Sequence, residues 1–220
     1  MEFLFVIIVL ILSVVIHELA HGYAALAQGD PTAKYAGRLT LNPIKHLDLL
    51  GSFVVPVILF LLNVGVIVGW AKPVPYNPYN LRDQRWGESL VALAGPLSNI
   101  GIAFVFGLLI RFGGDTLSAE VMTFAGLIVM INIFLALFNL IPLPPLDGSK
   151  VLFAVLPQTP TFADMRLALE RYGLFVVIAV VILAGGFIFP VIMTALAYLF
   201  YFFTGETALI QDVMTQFFTR

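Results

Sequence analysis

Long apolar stretches alternate with short polar segments along the chain. Four of them reach or approach the roughly 20 residues that a helix needs to cross a bilayer. These stretches span residues 3–27, 49–70, 89–110 and 121–141. A fifth runs from Tyr172 to Phe203 without a charge. Because Gly185, Gly186 and Pro190 interrupt it, we expect either two short helices or one kinked helix. The pattern predicts an all-α polytopic membrane protein.

The composition agrees with that class and narrows the chemistry. Hydrophobic residues make up 60% of the 220 positions and charged residues only 11%, against about 25% charged in soluble proteins. A net charge of -2 without a basic cluster argues against nucleic acid as a partner. The chain has no cysteine, so histidines and carboxylates remain as strong metal ligands.

The ends and size of the chain predict a single membrane domain over residues 1–220. The first apolar stretch lacks a basic leader and carries Glu2, so we expect a retained helix instead of a signal peptide. Several spans leave no room for an appended soluble domain of about 100 residues.

The basic residues indicate how the stretches are threaded, because Lys and Arg favour short cytoplasmic loops. Three follow the first stretch, three the second, one the third and three the fourth. If residues 49–70 cross the membrane, the basic loops fall on both sides. If this stretch enters and leaves on one side, nearly all of these basic residues fall on the cytoplasmic side. Gly51 and Pro56 permit such a hairpin or re-entrant turn. Both arrangements stay open.

The first stretch contains His17-Glu18-Leu19-Ala20-His21. Ionisable groups inside an apolar helix are costly unless they have a function. His17 and His21 are four residues apart, so both imidazoles lie on one helix face and can bind one zinc ion. In this pattern Glu18 takes a proton from metal-activated water. In a purely structural alternative, the histidines would make polar contacts between helices and Glu18 would pair with a buried cation. The segment contains no Lys or Arg that could be this cation.

A catalytic zinc ion usually has three protein ligands, so one more is needed. The candidates are His46, Asp48 and Asp147. His46 and Asp48 lie in a polar loop that is typical of a solvated face. Asp147 follows three prolines between residues 142 and 145, which end the fourth stretch, and Gly148 is expected to free the backbone after it. Asp147 meets the histidines only if residues 49–70 make no net crossing.

Three motifs in this order resemble the site-2 protease family of intramembrane zinc metalloproteases. They occupy residues 17–21, 95–99 and 139–148. The resemblance implies a three-helix catalytic core with accessory helices and a short β or re-entrant element after the first helix. It also implies a minimal member without PDZ or CBS modules, with a core over about 1–157, C-terminal helices over about 164–204 and a short tail at 205–220.

The same resemblance implies the site and its reaction. His17, His21 and Asp147 would hold Zn²⁺, Glu18 would be the general base, and Asn139 would donate to the oxyanion. The substrate would be a membrane protein, cleaved in its transmembrane helix near the cytoplasmic side of a bacterial-type cell membrane. Its partners would be that helix and the lipid bilayer.

Other segments are expected to support the core. Gly95 and Asn99 predict close helix packing, and Asn132 predicts a hydrogen bond between helices. Residues 37–41 alternate like a short strand whose edge would pair with a substrate backbone. Residues 72–78 predict a stiff interfacial loop in which nothing demands chemistry.

Two other functions compete with proteolysis. A metal-ion or proton transporter also uses intramembrane histidines and carboxylates, although internally repeated halves are then expected and none is visible. An inactive metal-binding scaffold would leave Glu18 without a purpose. A Glu18→Gln substitution separates them, because only a protease depends on a base beside the metal.

Overall fold

The computed structural model describes residues 2–48, 51, 54, 57, 61 and 71–218. Its helices are α1 (Glu2–Ala27), α2 (Thr32–Tyr35), α3 (Gly87–Gly113), α4 (Ala119–Asn139), α5 (Asp147–Val155), α6 (Pro160–Thr204) and α7 (Ala208–Phe218). Short 3-10 turns lie at Pro43–His46, Pro78–Asn80 and Gly114–Thr116. The predicted all-α fold is confirmed. The described residues contain no β-strand.

Within the described part of the chain, four helical segments are long and apolar enough to cross a membrane. They are Leu4–Ala27, Gly87–Gly113, Ala119–Asn139 and Leu183–Thr204. They correspond to the first, third, fourth and fifth apolar stretches of the sequence. Four such long apolar helices are typical of an integral membrane protein.

The fifth stretch belongs to a single helix, α6, which continues through Pro190. Its 45 residues correspond to about 68 Å at 1.5 Å per residue, more than twice the thickness of a hydrocarbon core. A proline is tolerated inside a membrane helix because neighbouring groups satisfy the carbonyl that it frees. The segment expected to be a short tail also forms a helix, α7, whose Leu209 and Val213 are buried.

The core is built around α3, which contacts α1, α4, α5 and α6. Gly107 of α3 shows how closely the helices pack, since a Cβ at this position would lie 2.6 Å from Cβ of Phe203. Small residues permit such approaches between membrane helices. The buried apolar side chains of this core are Val9, Ala103, Ile110, Ala125, Leu127, Val129, Met130, Ile131, Ile133, Leu196, Phe200, Phe203, Leu209 and Val213.

The end of α1 lies beside the start of α3. Asp30 accepts hydrogen bonds from Asn77 N at 2.7 Å and Asn80 Nδ2 at 2.8 Å. Gln28 Nε2 donates to Gly87 O at 3.1 Å. The chain between α1 and α3 therefore starts and ends at the same end of the helices and makes no net crossing. The predicted hairpin or re-entrant turn itself falls in 49–70, which lies outside the described residues apart from four single positions.

The strand expected at residues 37–41 is wrong. Gly37 has a φ of +63°, which turns the backbone away from an extended path. Arg38 N then donates to Ala33 O, and Thr40 N donates to Arg38 O, each at 3.0 Å. Because these groups bond locally, they cannot form a ladder with a neighbouring strand.

Candidate metal centre

His17, His21 and Asp147 meet between α1 and the start of α5. His17 Nε2 lies 3.1 Å and His21 Nε2 lies 3.2 Å from Asp147 Oδ2. All three residues are at least nine-tenths buried. Among the described residues, they form the group whose ligand atoms all lie close enough to hold one metal ion. The structure thus brings the two motif histidines together with one of the three candidate third ligands.

The backbone around Asp147 explains its placement. Helix α4 ends at Asn139, and α5 begins at Asp147 after the extended residue Leu146. A carboxylate in the first turn is favoured by the positive end of the helix dipole.

The expectation that Gly148 frees the backbone is wrong, because Gly148 is part of α5 and its φ is not among the positive ones. A Cβ there would lie 2.2 Å from Leu140 O. Glycine is needed for the close approach of α5 to the end of α4.

A backbone carbonyl fixes the proton of His21. His21 Nδ1 lies 2.7 Å from Val91 O, which can only accept, so Nδ1 carries the hydrogen. In the neutral imidazole, Nε2 then presents its lone pair toward Asp147. Metal-binding histidines typically donate the N–H of their other ring nitrogen to a neighbouring acceptor in this way.

A chain of amides fixes the proton of His17. Asn132 Nδ2 donates to Ile128 O at 2.9 Å, which leaves Asn132 Oδ1 to accept from Asn99 Nδ2, also at 2.9 Å. Asn99 Oδ1 therefore faces His17 Nδ1 at 2.6 Å and accepts its hydrogen. Asn132 Nδ2 also donates to Ser13 Oγ at 2.9 Å. The network leaves Nε2 of His17, like that of His21, as a metal-binding atom.

Sequence reasoning missed the contact between Asn99 and the site. The predicted bond between helices is confirmed for Asn132, but Asn99 also holds an expected ligand. The sequence did indicate that Asn99 is unusual, since it places an amide side chain inside an apolar stretch. Gly95 has a related role, because a Cβ there would lie 2.4 to 2.5 Å from atoms of both imidazoles. No side chain fits at that point of α3.

This donor set suits zinc. Two imidazole nitrogens and a carboxylate oxygen are common zinc ligands, and catalytic sites leave a fourth position for water or substrate. The nitrogen–oxygen distances of 3.1 and 3.2 Å approach the separation of about 3.3 Å between ligands on a tetrahedral ion with bonds near 2.0–2.1 Å.

Glu18 is half-buried on the same helix as the histidines. Its Oε2 accepts a hydrogen bond from Val74 N at 2.7 Å. Asn139, the expected oxyanion donor, is half-buried at the last turn of α4, and its Nδ2 donates to Leu135 O at 2.9 Å. The bond of Asn139 therefore returns to its own helix.

The other two candidate ligands lie elsewhere. His46 was expected on a solvated face but is only 2% exposed, and its Nε2 lies 2.9 Å from Thr40 O. Asp48 Oδ1 accepts a hydrogen bond from Gly51 N at 2.7 Å. Both side chains help to organise the loop after α2 and do not join the metal group.

The known proteins that this chain resembles agree with one another in family. The model of peptidase family M50 matches residues 108–180, which include Asp147. "Putative zinc metalloprotease YwhC" of Bacillus subtilis is 41% identical over 179 residues, covering 78% of this chain and 77% of the relative. "Putative zinc metalloprotease Rip2" of Mycolicibacterium smegmatis is 28% identical over 181 residues, covering 82% of this chain and 67% of the relative.

An archaeal relative extends the likeness beyond bacteria. "Putative zinc metalloprotease MJ0611" of Methanocaldococcus jannaschii is 34% identical over 142 residues, covering 63% of each chain. No solved structure matches the chain. With its apolar helices and its histidine–aspartate centre, the chain belongs to peptidase family M50, the site-2 protease family of membrane-embedded zinc metalloproteases.

Proposed function

We propose that this chain is an intramembrane zinc endopeptidase that hydrolyses peptide bonds in or near transmembrane helices of membrane-protein substrates. His17, His21 and Asp147 are the proposed zinc ligands, and Glu18 is the proposed general base. The observation that carries this proposal is the buried group of two imidazoles and one carboxylate, supplied by apolar helices. Ionisable groups are rare in such surroundings unless they take part in function.

The chemistry divides between the metal and Glu18. Bound zinc supplies the Lewis acidity that makes water a nucleophile near neutral pH and polarises a carbonyl group. Glu18 accepts the proton of the attacking water and returns it to the leaving amine. Its Oε1 is suited to this role, because Oε2 accepts the hydrogen bond from Val74 N.

Asn139 is the proposed donor to the oxyanion of the tetrahedral intermediate. A donor of this kind stabilises the transition state by about 3–4 kcal/mol in a dry site. Its Nδ2 now bonds to Leu135 O. Because the amide nitrogen carries two hydrogens, its second N–H is the one proposed to donate to the substrate oxygen.

The site is proposed to face the cytoplasm. Among the described residues, the segments at its end of the helices, residues 28–48, 71–86 and 140–182, hold nine basic residues, while the α3–α4 end holds Arg111. Lys and Arg favour cytoplasmic loops. Transport, the rival function, is favoured by no observation on the site or its relatives.

The decisive experiment is Glu18→Gln. Membrane proteomics of host cells with the wild-type or E18Q protein identifies cleaved helices, and a labelled peptide that copies one becomes the probe in liposomes. We expect E18Q to bind zinc as the wild type does and to lose cleavage by about 10² to 10⁴-fold.

Asp164→Asn is the matched control, since it changes an exposed carboxylate to an amide on α6. It should cleave like the wild type. An E18Q protein that still cleaved at the wild-type rate would exclude the proposed mechanism.

A further inference from the structure

Residues 71–77, here called the strap, form a segment without helix or strand that contacts α1 through Val74. Val74 N donates to Glu18 Oε2 at 2.7 Å. Glu18 lies nine residues before the end of α1, or about 14 Å along the helix at 1.5 Å per residue. To make this contact, the strap therefore runs back along α1 from its C-terminal end toward the middle of the helix.

Two buried charges hold the ends of the strap. Arg38, 7% exposed, donates through Nη2 to Lys72 O at 2.7 Å and to Pro73 O at 3.4 Å. Asp30, 0% exposed, accepts from Asn77 N at 2.7 Å. Buried charges are unfavourable unless they are well bonded. Here both of them bond to the backbone of one loop, which fixes that loop against the helices.

The Asp30 anchor stays charged at neutral pH. Burial alone would raise the pKa of its carboxyl, but hydrogen bonds from Thr32, Asn80 and Asn77 outweigh burial and hold the pKa below its ordinary value. A carboxyl with a lowered pKa loses its charge only in acid, below its ordinary range near 4. The anchor is thus intact throughout the physiological range.

The prolines of the strap select a single donor for Glu18. Pro73 and Pro75 have no N–H group, and their rings fix φ. Lys72 N is used by His46 O at 2.8 Å. Val74 therefore carries the N–H between the two prolines, and it points at Glu18.

The facing surface of α1 is shaped to receive Val74. Gly22 lies one turn after Glu18, and a Cβ there would come within 3.0 Å of Val74 Cγ1 and 2.5 Å of Leu39 Cδ2. Val74 is only 5% exposed. The same helix face thus offers Val74 both a polar partner and a gap for its side chain.

We propose that the strap positions the general base, with Val74 N–H holding Oε2 so that Oε1 is directed to the reactants. This inference rests on the proposed function of Glu18. A glutamate has three rotatable bonds, and restricting them keeps the reacting oxygen in place before the substrate arrives. Misplacement of a reacting group by about 1 Å lowers a rate by roughly 100-fold.

The test removes the N–H and keeps the rest of the strap. Val74→Pro has no amide hydrogen, while Val74→Ala keeps it and shortens only the side chain. We expect V74P to lower kcat by about 10- to 100-fold with KM changed by less than about twofold, and V74A, which keeps the N–H but loses packing against Gly22, to lose less activity than V74P. Bound zinc should remain at the wild-type level in both, because the proposed ligands lie on α1 and α5.

A second variant covers failure of V74P to fold. Replacing Val74 by 2-hydroxyisovaleric acid turns this one amide into an ester, so the side chain stays, the N–H is lost, and Pro73 O becomes a weaker acceptor for its 3.4 Å contact with Arg38. We expect the same fall in kcat. Zinc loss or a KM change in the ester variant would mean that the strap is merely structural, and an increase in kcat would mean that it restrains the base. Either result overturns the inference.

Hydrogen exchange tests the contact without any turnover. In the zinc-free protein, the Val74 amide should be protected and should exchange faster when Glu18 is replaced by alanine. Unchanged exchange would overturn the inference. The two proposals fail differently: an active E18Q protein removes the proposed function, whereas an inactive E18Q with fully active V74P and ester variants removes only the role of the strap.

Discussion

At the scale of single residues, the site depends on which ring nitrogen of each histidine carries a proton. Val91 O settles this for His21, and Asn99 Oδ1 settles it for His17. A carbonyl of the main chain is difficult to remove by substitution, but Asn99 is a side chain. Without it, His17 is free to place its proton on Nε2, which blocks coordination.

We therefore expect Asn99→Ala to weaken zinc binding by about 10- to 100-fold, the usual effect of removing a partner of a metal-binding histidine. Chelator competition on the purified protein measures this. Leu97→Ala is the control, since Leu97 lies on the same helix and is 62% exposed. Equal zinc affinity in N99A and L97A would show that Asn99 does not orient His17.

Residue roles were predictable where the side chain itself stood out. Ionisable groups in an apolar helix are visible in a sequence, so His17, Glu18, His21 and Asp147 were all identified as candidates. The role of Val74 was hidden, because it acts through a backbone N–H that every residue except proline has. Its partner, Glu18, is 56 positions earlier in the sequence. No pattern along the chain indicates such a pairing.

At the scale of elements, the contact between α5 and the end of α4 determines where Asp147 sits. Gly148 allows it, with the position of a Cβ only 2.2 Å from Leu140 O. That obstacle is main chain, which cannot move aside as a flexible side chain does. Any larger residue must push α5 away and take Asp147 with it.

Gly148→Ala should lower the free energy of unfolding by about 1–3 kcal/mol, as overpacking usually does, and should reduce zinc occupancy. Denaturation in detergent and metal analysis measure both. Gly101→Ala is the matched control, because a Cβ there meets nothing within 4 Å and alanine favours a helix by up to about 1 kcal/mol. A G148A protein as stable and as fully loaded as G101A would contradict this account.

Element types were predictable from apolar length, whereas the strand prediction failed because of local bonding. The alternation over residues 37–41 indicated a strand, yet Gly37 turned the backbone and Arg38 became a side-chain anchor for the strap. Alternation gave no information about the turn at Gly37 or about the local bonds of Arg38. For residues 172–203 the sequence left open two short helices or one kinked helix, and the structure has one helix, α6.

At the scale of the whole molecule, the chain from α1 to α3 returns to the end where it started, as the bonds from Asp30 to Asn77 and Asn80 show. This return makes α1 and α4 run in the same direction, with α3 opposite. The sequence indicated this threading through its basic residues and through the need to join His17 to Asp147.

Cysteine labelling can test the threading directly, because the chain contains no cysteine. Tyr35→Cys and Tyr79→Cys, at positions 82% and 87% exposed, should react with an impermeant maleimide from the same side of the membrane. Thr116→Cys, in the exposed turn between α3 and α4, should react from the opposite side. Labelling of Y35C and Y79C from different sides would exclude the arrangement.

The amide network has a consequence for the zinc-free protein. Ser13, Asn99 and Asn132 come from three different helices and bond to one another without any contribution from the metal. In lipid, where few other partners exist, these bonds set the rotation of each helix against its neighbours. We therefore expect these three helices to keep the same arrangement in the zinc-free protein.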